Sequence, residues 1–323
     1  MIEKKDAGQR LDKYLRKYLQ NAPSSFIYRM LRKKNIVLNA GRAEGKELLA
    51  EGDTIRIFFS EETLAHFRGG EAETKNVSFP APAIVYEDED ILLLDKASGI
   101  LSQGDKSGEP SVNDWLREYL SQSREAADTF RPSVCNRLDR NTSGLLLCAK
   151  TYAGSRFLSE QIGGHELGKY YRALVEGELH GEAVLRGLWY KDEAANRVRI
   201  DKLKDGEGVP EDTKGRYAET RYRVLACNEG YSLVELRLMT GRSHQIRAHM
   251  ASIGHPLAGD IKYGGHPCGK ERSQFLQAFR IVFPEISGAF ERLSGKSFEI
   301  PLPQWAEKFL ADCGEGTESP DGV

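Results

Sequence analysis

The chain has 323 residues, 40% hydrophobic and 29% charged, with a formal net charge of -2. That length exceeds a usual single domain and supplies two, while no apolar run approaches the roughly 18 residues a membrane span requires. Five cysteines (Cys135, Cys148, Cys227, Cys268, Cys313) lie far apart without C-x-x-C spacing, which argues against a disulfide frame or a zinc site and for reduced thiols. The opening MIEKKDAGQRLDKYL has no apolar segment of signal-peptide type, so the expected address is the cytoplasm. The charge is unevenly divided: residues 1–60 hold thirteen Lys/Arg and seven Asp/Glu, a balance of +6, leaving -8 for the remainder. A small basic unit on an acidic body fits either a solvated face or an anionic partner.

In chain order, Leu11, Tyr14, Leu15 and Tyr18 recur at helical spacing. Pro23-Ser24-Ser25 then breaks that helix and caps a second, predicted over residues 26–34. The second helix presents Arg29, Arg32, Lys33 and Lys34 and turns Ile27, Met30 and Leu31 inward. Short strands follow at residues 36–39 and 53–57, joined by a turn-rich segment. Helix, basic helix and hairpin together resemble the S4 RNA-binding module, with Arg10-Leu11-Asp12, Pro23-Ser24, Arg32-Lys33-Lys34 and Gly52-Asp53 as the matching marks. That resemblance implies phosphate contacts from Arg10, Arg29, Arg32, Lys33 and Lys34, which give affinity without sequence information.

Residues 61–82 lack periodicity and hold Gly-Gly and two Pro-containing steps, so they read as a linker. A larger domain is predicted over residues 83–310. Ile91-Leu92-Leu93-Leu94 and Leu145-Leu146-Leu147-Cys148-Ala149 read as strands buried on both faces. Between them an amphipathic helix runs over residues 112–122 through Val112, Trp115, Leu116 and Tyr119. Thr151 caps a helix to about residue 162, ended by Gly163-Gly164. Strands are predicted at residues 169–177, 220–227 and 231–239, and the charged stretch 186–217 has no predicted shape. The tail, residues 311–323, is small and acidic and is expected to be disordered. There are no internal repeats.

Three segments carry polar residues where a core would not place them. Arg137-Leu138-Asp139-Arg140 holds a carboxylate between arginines just ahead of a buried strand. Lys169-Tyr170-Tyr171 opens another strand. Residues 240–250 turn from strand to helix at Gly241, with Ser243 as the expected N-cap and Gly254 as the stop. On that helix Ile246, Met250 and Ile253 form the buried stripe, and Arg247 flanks it where its guanidinium can reach a carboxylate under the sheet's edge. Such a pair keeps an acid ionised and oriented, and an ordinary interdomain salt bridge would look the same. His244, His249 and His255 stand five and six residues apart, not the i,i+4 spacing of a helical zinc site, so no metal is expected. No phosphate-binding Gly-rich loop is present, and Ser143 is not in a Gly-x-Ser-x-Gly elbow.

Taken together, Arg137-Leu138-Asp139-Arg140-Asn141-Thr142-Ser143-Gly144-Leu145-Leu146, Lys169-x-Tyr171 leading into Ala173-Leu174-Val175-Glu176-Gly177, and Thr240-Gly241-Arg242-Ser243-His244-Gln245-Ile246-Arg247 closely resemble the RluA family of RNA pseudouridine synthases. Order and spacing match, as do Gly254-His255-Pro256-Leu257-x-Gly259-Asp260 and Tyr263-Gly264, over residues 84–303. The resemblance implies an α+β fold: a small S4-like helix–hairpin domain, then a large mixed, mostly antiparallel sheet flanked by helices. It implies isomerisation of uridine to pseudouridine in RNA, and the S4-like unit in front matches the family's ribosomal enzymes, pointing to large-subunit (23S) ribosomal RNA. Asp139 then matches the catalytic aspartate, Tyr171 the tyrosine packed on the target base, and Arg247 the basic partner of the acid. Arg137 matches the arginine that enters the RNA stack, Arg140 serves RNA entry beside it, and Thr142, Ser143, Gly144, Gly241, Arg242, His244 and Gln245 are supporting motif positions. No cofactor, metal or membrane is implied, and the chain is expected to be a monomer.

The chemistry fits those residue types. Breaking and remaking a glycosidic bond inside a helix is impossible, so the base must be extruded at a cost of a few kcal/mol. An arginine can fill the gap, and an aromatic face can hold the freed base. The carboxylate can attack ribose C1′, attack the base, or remove a ribose proton, and all three remain open. Three positions depart from the family pattern: Asn136 replaces a usual histidine, Lys96-Ala97 a Lys-Pro step, and Gln277 a late histidine. The alternatives are an inactive RNA-binding or ribosome-assembly protein and a synthase acting on transfer RNA. A hydrolase would need metal ligands or a phosphate loop.

Overall fold

The computed structural model describes residues 1–3, 6–68, 77–121, 130–204, 208–210, 212–228, 230–269 and 271–315. At the N-terminus, α1 (Leu11–Tyr18) and α2 (Ser24–Arg32) set Leu11, Leu15, Ile27 and Leu31 into one apolar cluster. An antiparallel pair closes it, β1 (Ile36–Leu38) against β2 (Ile55–Ile57), with Ile36 opposite Ile57. The serines after Pro23 do not cap α2. It starts at Ser24 without a side-chain cap, and the Pro23 carbonyl accepts from the Phe26 and Ile27 amides instead. Proline's fixed φ, here -58°, already suits a helix start. β1 stops one residue short of the predicted strand because Asn39 and Ala40 both turn at positive φ.

The expected linker is partly helix. Residues of α3 (Glu61–Arg68) return to the N-terminal cluster, where Phe67 packs on Phe26 with ring centroids 4.4 Å apart and Leu64 joins the same core. The unit predicted over residues 1–60 therefore extends to residue 68, and residues 69–76 of the expected linker lie outside the described residues.

The larger part is built on β3 (Ala83–Glu87), β4 (Ile91–Lys96), β5 (Ser133–Val134), β6 (Ser143–Ala149), β7 (Gly168–Glu176), β8 (Glu182–Asp192), β9 (Arg197–Lys202), β10 (Arg216–Cys227), β11 (Tyr231–Leu238), β12 (Leu276–Val282) and β13 (Ser297–Glu299). Their order is β3-β4-β6-β12-β7-β11-β10-β8-β9, with β5 added on β6 and β13 on β12. The β6–β12 pair is parallel and the others are antiparallel, so the sheet is mixed and mostly antiparallel. The stretch 186–217, left without a shape by its charge, is largely the β8–β9 hairpin and the start of β10.

The four-leucine-type runs are apolar throughout because both faces of the sheet are covered. Period-two alternation sends Leu92, Leu94, Leu146 and Cys148 to one core and Ile91, Leu93, Leu145 and Leu147 to the other. Two helices, α4 (Val112–Ser121) and α6 (Gln245–Ser252), cover the first face through Val112, Leu116, Ile246 and Met250. On the second face, α5 (Tyr152–Gly163) contributes Phe157 and Leu158, and Thr151 accepts from the Gly154 amide as its N-cap. The expected disordered tail is helical at its start. α7 (Gln304–Glu315) packs Ala306 and Phe309 against Leu174 and Leu233, and the helix anchored there runs on into the first residues of the expected tail; residues 316–323 lie outside the described residues.

Candidate active site

Asp139 stands on the loop between β5 and β6, and the segment after β4 pins that loop on both sides. Ser102 Oγ donates to the Leu138 carbonyl (2.9 Å) and accepts from the Leu138 amide (3.1 Å). The Gly99 amide and the Lys96 ammonium both donate to the Arg140 carbonyl, at 3.0 and 2.9 Å. The Thr142 amide closes a turn on the Asp139 carbonyl at 3.0 Å. Lys96 is fully buried, and its Nζ also donates to the Ala97 and Ile100 carbonyls at 2.9 Å each. Burial pulls this ammonium down to about 8 against the opposing pull of Asp139 and Asp95.

Gly144 then carries the chain into β6 beside β12, where it lies opposite Ala278. Its φ is +113°, and a Cβ there would sit 2.2 Å from the Ala278 carbonyl oxygen. Only glycine passes. Ser143 pairs with Gln277, and Thr142 Oγ1 accepts from Gln274 Nε2 at 3.3 Å. Of the departures from the family pattern, Asn136 fastens the loop's other end by accepting from the Leu147 amide at 2.7 Å. Gln277 donates to the Pro301 carbonyl at 3.1 Å.

The turn into α6 is built differently from the expected serine cap. His244, not Ser243, precedes the helix, in the left-handed region at φ 52° and without a side-chain cap. Gln245 does the fastening: its Oε1 accepts from Thr240 Oγ1 (2.8 Å) and the Arg242 amide (3.0 Å), and its Nε2 donates to the Glu219 carbonyl and Thr220 Oγ1, both at 2.9 Å. Gly241 faces the buried Lys169 ammonium, and Arg242 Nε reaches the Tyr217 carbonyl at 3.5 Å.

One turn into α6, Arg247 meets Asp139: Nη1 lies 3.0 Å from Oδ2. Its remaining donors, Nε and Nη2, fork onto Asp260 at 2.6 and 2.7 Å. The two acids differ in access. The Asp260 side chain is 1% exposed and the Asp139 side chain 26%, so the first is sealed in and the second is open to solvent. Burial alone would depress the guanidinium, but the bonds and charges of Asp260 and then Asp139 outweigh it and raise Arg247 above its ordinary value. Tyr263 lies under the guanidinium, 4.8 Å from ring centroid to Cζ.

His244 approaches from the other side, with Nε2 3.9 Å from Asp139 Oδ1. Burial lowers its value, outweighing the pull of Asp139, which favours the neutral ring. The Val198 amide donates to the Tyr263 hydroxyl (2.9 Å), which lies 2.8 Å from His244 Nδ1. With the hydroxyl oxygen accepting from Val198, its proton points at Nδ1, and the imidazole proton is assigned to Nε2 on the Asp139 side.

Tyr171 is buried on β7, opposite Leu236 and Ala278, in the same core face as Leu138 and Ile246. Burial, then the nearby Asp139 charge, pushes its phenol up. Asp139, Tyr171 and Arg247 thus converge from β5–β6 loop, strand and helix. The two arginines beside the acid do not pair with it. Arg137 is exposed, with no ion pair among the described residues. Arg140, expected to face RNA, forks onto Glu109 at 2.8 and 3.0 Å in a pair that is itself partly exposed.

In the N-terminal unit, Arg10 is likewise occupied, with Nε and Nη2 each 3.1 Å from Asp12. Arg29 lies over the Phe26 ring at 5.5 Å and is exposed, as are Arg32, Lys33 and Lys34. The latter two follow α2 rather than belonging to it, Lys33 as its C-cap and Lys34 at φ 59°. Sequence reasoning assigned no role to Asp260, Tyr263 or the buried Lys96. The first two sat in matched motifs whose residues carried no stated chemistry.

A quarter-exposed carboxylate is thus held by a buried guanidinium, with a buried phenol near enough to feel its charge. Residues 90–252 match the family of RNA pseudouridylate synthases. Ribosomal large subunit pseudouridine synthase C of Vibrio cholerae serotype O1 is 33% identical over 311 residues, 94% of this chain and 91% of that protein. The protein of the same name from Escherichia coli (strain K12) is 34% identical over 289 residues, 86% of each. The solved structure of human RNA pseudouridylate synthase domain containing 4 superposes with a TM-score of 0.55 at 19% identity, covering 72% of this chain and 92% of that one, which shows a shared fold. The chain belongs to the RNA pseudouridylate synthase family and is an isomerase of its RluA type.

Proposed function

We propose that this enzyme isomerises uridine to pseudouridine in large-subunit ribosomal RNA, with Asp139 as the carboxylate that acts on an extruded nucleoside. The observation that carries the reading is the contact chain Asp260–Arg247–Asp139, which leaves one quarter-exposed carboxylate beside Tyr171. In this reading Tyr171 packs on the freed base and Arg247 orients the acid. Arg137, exposed and unpaired among the described residues, enters the stack where the base leaves. Uridine and pseudouridine are isomers, so no atoms or electrons are exchanged and the chemistry calls for no redox group or cofactor. Whether the acid attacks C1′, attacks the base or removes a ribose proton, it must be positioned before the base arrives.

The ribosomal target rests on the two relatives named for the large ribosomal subunit and on the basic N-terminal unit, which we read as an S4-like RNA-binding domain. The enzyme then works as a cytoplasmic monomer on that RNA. Asp139→Asn should bind RNA within about twofold of the wild type yet form no pseudouridine, since asparagine keeps the shape of the side chain but supplies no carboxylate to act on the nucleoside. Normal product formation by that variant overturns the catalytic assignment. Mapping pseudouridine in cells lacking the gene should show loss in large-subunit RNA, and loss confined to transfer RNA overturns the target.

A further inference from the structure

A groove of about 570 Å³ lies beside the site, lined among others by Trp189, Tyr190, Lys214, Arg216 and Ser243. That size is in the range of about 300–1,000 Å³ typical of ligand sites. It begins at Ser243, one residue before His244, whose ring reaches Asp139. Trp189 on β8 stands opposite Arg216 on β10 and Ile200 on β9, so all three side chains share the face turned to α6. One side of the indole packs on the cluster of Val198, Ile200, Ala248 and Tyr263. Its Nε1 donates to the Ser243 carbonyl at 3.0 Å, which fixes the ring's orientation.

Two of the groove's cations are not internally spent. Lys191 pairs with Glu193 at 2.6 Å, cancelling the acid on the rim. Lys214 and Arg216 are exposed, and neither has a carboxylate partner among the described residues. Tyr190 is held as a wall: a Cβ at Gly215 would fall 2.7 Å from its ring, and its hydroxyl lies 3.0 Å from Thr213 Oγ1. A fixed aromatic face next to two unneutralised cations suits a single-stranded nucleic acid, whose bases stack and whose phosphates need countercharge.

We infer that this groove is a single-strand subsite, in which an unpaired base flanking the extruded uridine stacks on Trp189 and its phosphates lie on Lys214 and Arg216. The inference rests on the RNA-isomerase reading for the identity of the strand, and it adds a second point of grip outside the reacting nucleoside.

The test uses the full chain and a nine-nucleotide single-stranded RNA containing uridine, with tryptophan emission and affinity as readouts. Binding should quench the emission of the wild type. Trp189→Leu, which keeps an apolar side chain on the cluster, should lose most of that quench and bind about tenfold more weakly, the share of one stacked base. Lys214→Ala/Arg216→Ala, at exposed positions that threaten no core, should weaken binding and lower the slope of log affinity against log salt by about 1.4, at ~0.7 per phosphate for single strands. If both variants bind within twofold of the wild type with an unaltered slope and, for the cation variant, an unaltered quench, the subsite is refuted even when the wild type forms pseudouridine normally. If instead the wild type forms no pseudouridine in ribosomal RNA while the quench and slope effects appear, the isomerase target fails and the subsite stands.

Discussion

Asp260→Asn is the sharpest probe of how the acid is positioned. Both Asp260 oxygens accept from Arg247, at 2.6 and 2.7 Å, on a side chain 1% exposed. Asparagine keeps the shape but turns an NH₂ toward a guanidinium that can only donate, so one bond is lost and the other loses its charge assistance. Removing one partner of a buried pair costs about 3–5 kcal/mol. Asp139 still faces the same guanidinium at 3.0 Å, so the lower end applies, about 3 kcal/mol by urea denaturation. The catalytic effect is separate. With its fork released, Arg247 no longer fixes the Asp139 oxygen, and a misplacement near 1 Å costs on the order of 100-fold in turnover. The expected result is a kcat lower by about that factor with KM for RNA little changed, measured by pseudouridine formation below the unfolding transition. A variant that loses the 3 kcal/mol but keeps wild-type kcat would refute the positioning argument and leave Asp260 a structural anchor only.

Three further outcomes follow from other contacts. Gly144→Ala places a Cβ 2.2 Å from the Ala278 carbonyl at φ +113°, and should cost about 3 kcal/mol or more, so an unchanged denaturation midpoint contradicts it. His249 is buried with Nδ1 2.8 Å from Thr220 Oγ1 and Nε2 unpartnered, and burial lowers it from 6.5 to about 4. The unfolded chain therefore takes up the proton first as pH falls, and stability drops from about pH 6.5 downward, by about 2 kcal/mol at pH 5; His249→Asn should lack that increment, and an equal acid loss in both chains counts against it. Replacing Arg32, Lys33 and Lys34 together by alanine should weaken RNA binding and lower its salt slope by about 2 to 3, whereas an unchanged slope removes the N-terminal unit from the interface.

The strands of the covered sheet were legible because their apolar runs need no partner to be recognised: Leu92, Leu94, Leu146 and Cys148 would be buried in any fold that has two covered faces. The elements missed were those whose burial depends on something distant. α3 offers Leu64 and Phe67 to the N-terminal core, and α7 holds its place through Ala306 and Phe309 against Leu174 and Leu233. Neither segment has enough apolar periodicity to stand out from a polar linker or an acidic tail. In the β8–β9 hairpin, Leu188, Val198 and Ile200 are buried while Arg197 and Arg199 are exposed, so charge density masks the alternation.

The site divides in the same way. Asp139 was conspicuous because local sequence put a carboxylate between two arginines, but that juxtaposition does not set its electrostatics: Arg137 points to solvent and Arg140 is spent on Glu109. The effective cation comes from position 247 on another element, and it arrives already neutralised by Asp260. That division has a chemical consequence. A guanidinium shared between two acids can hold the exposed one in place without fully cancelling it, because Asp260 occupies the bidentate fork and Asp139 receives one bond. Meanwhile Arg137, not paired with the acid beside it, is exposed and has no ion pair among the described residues.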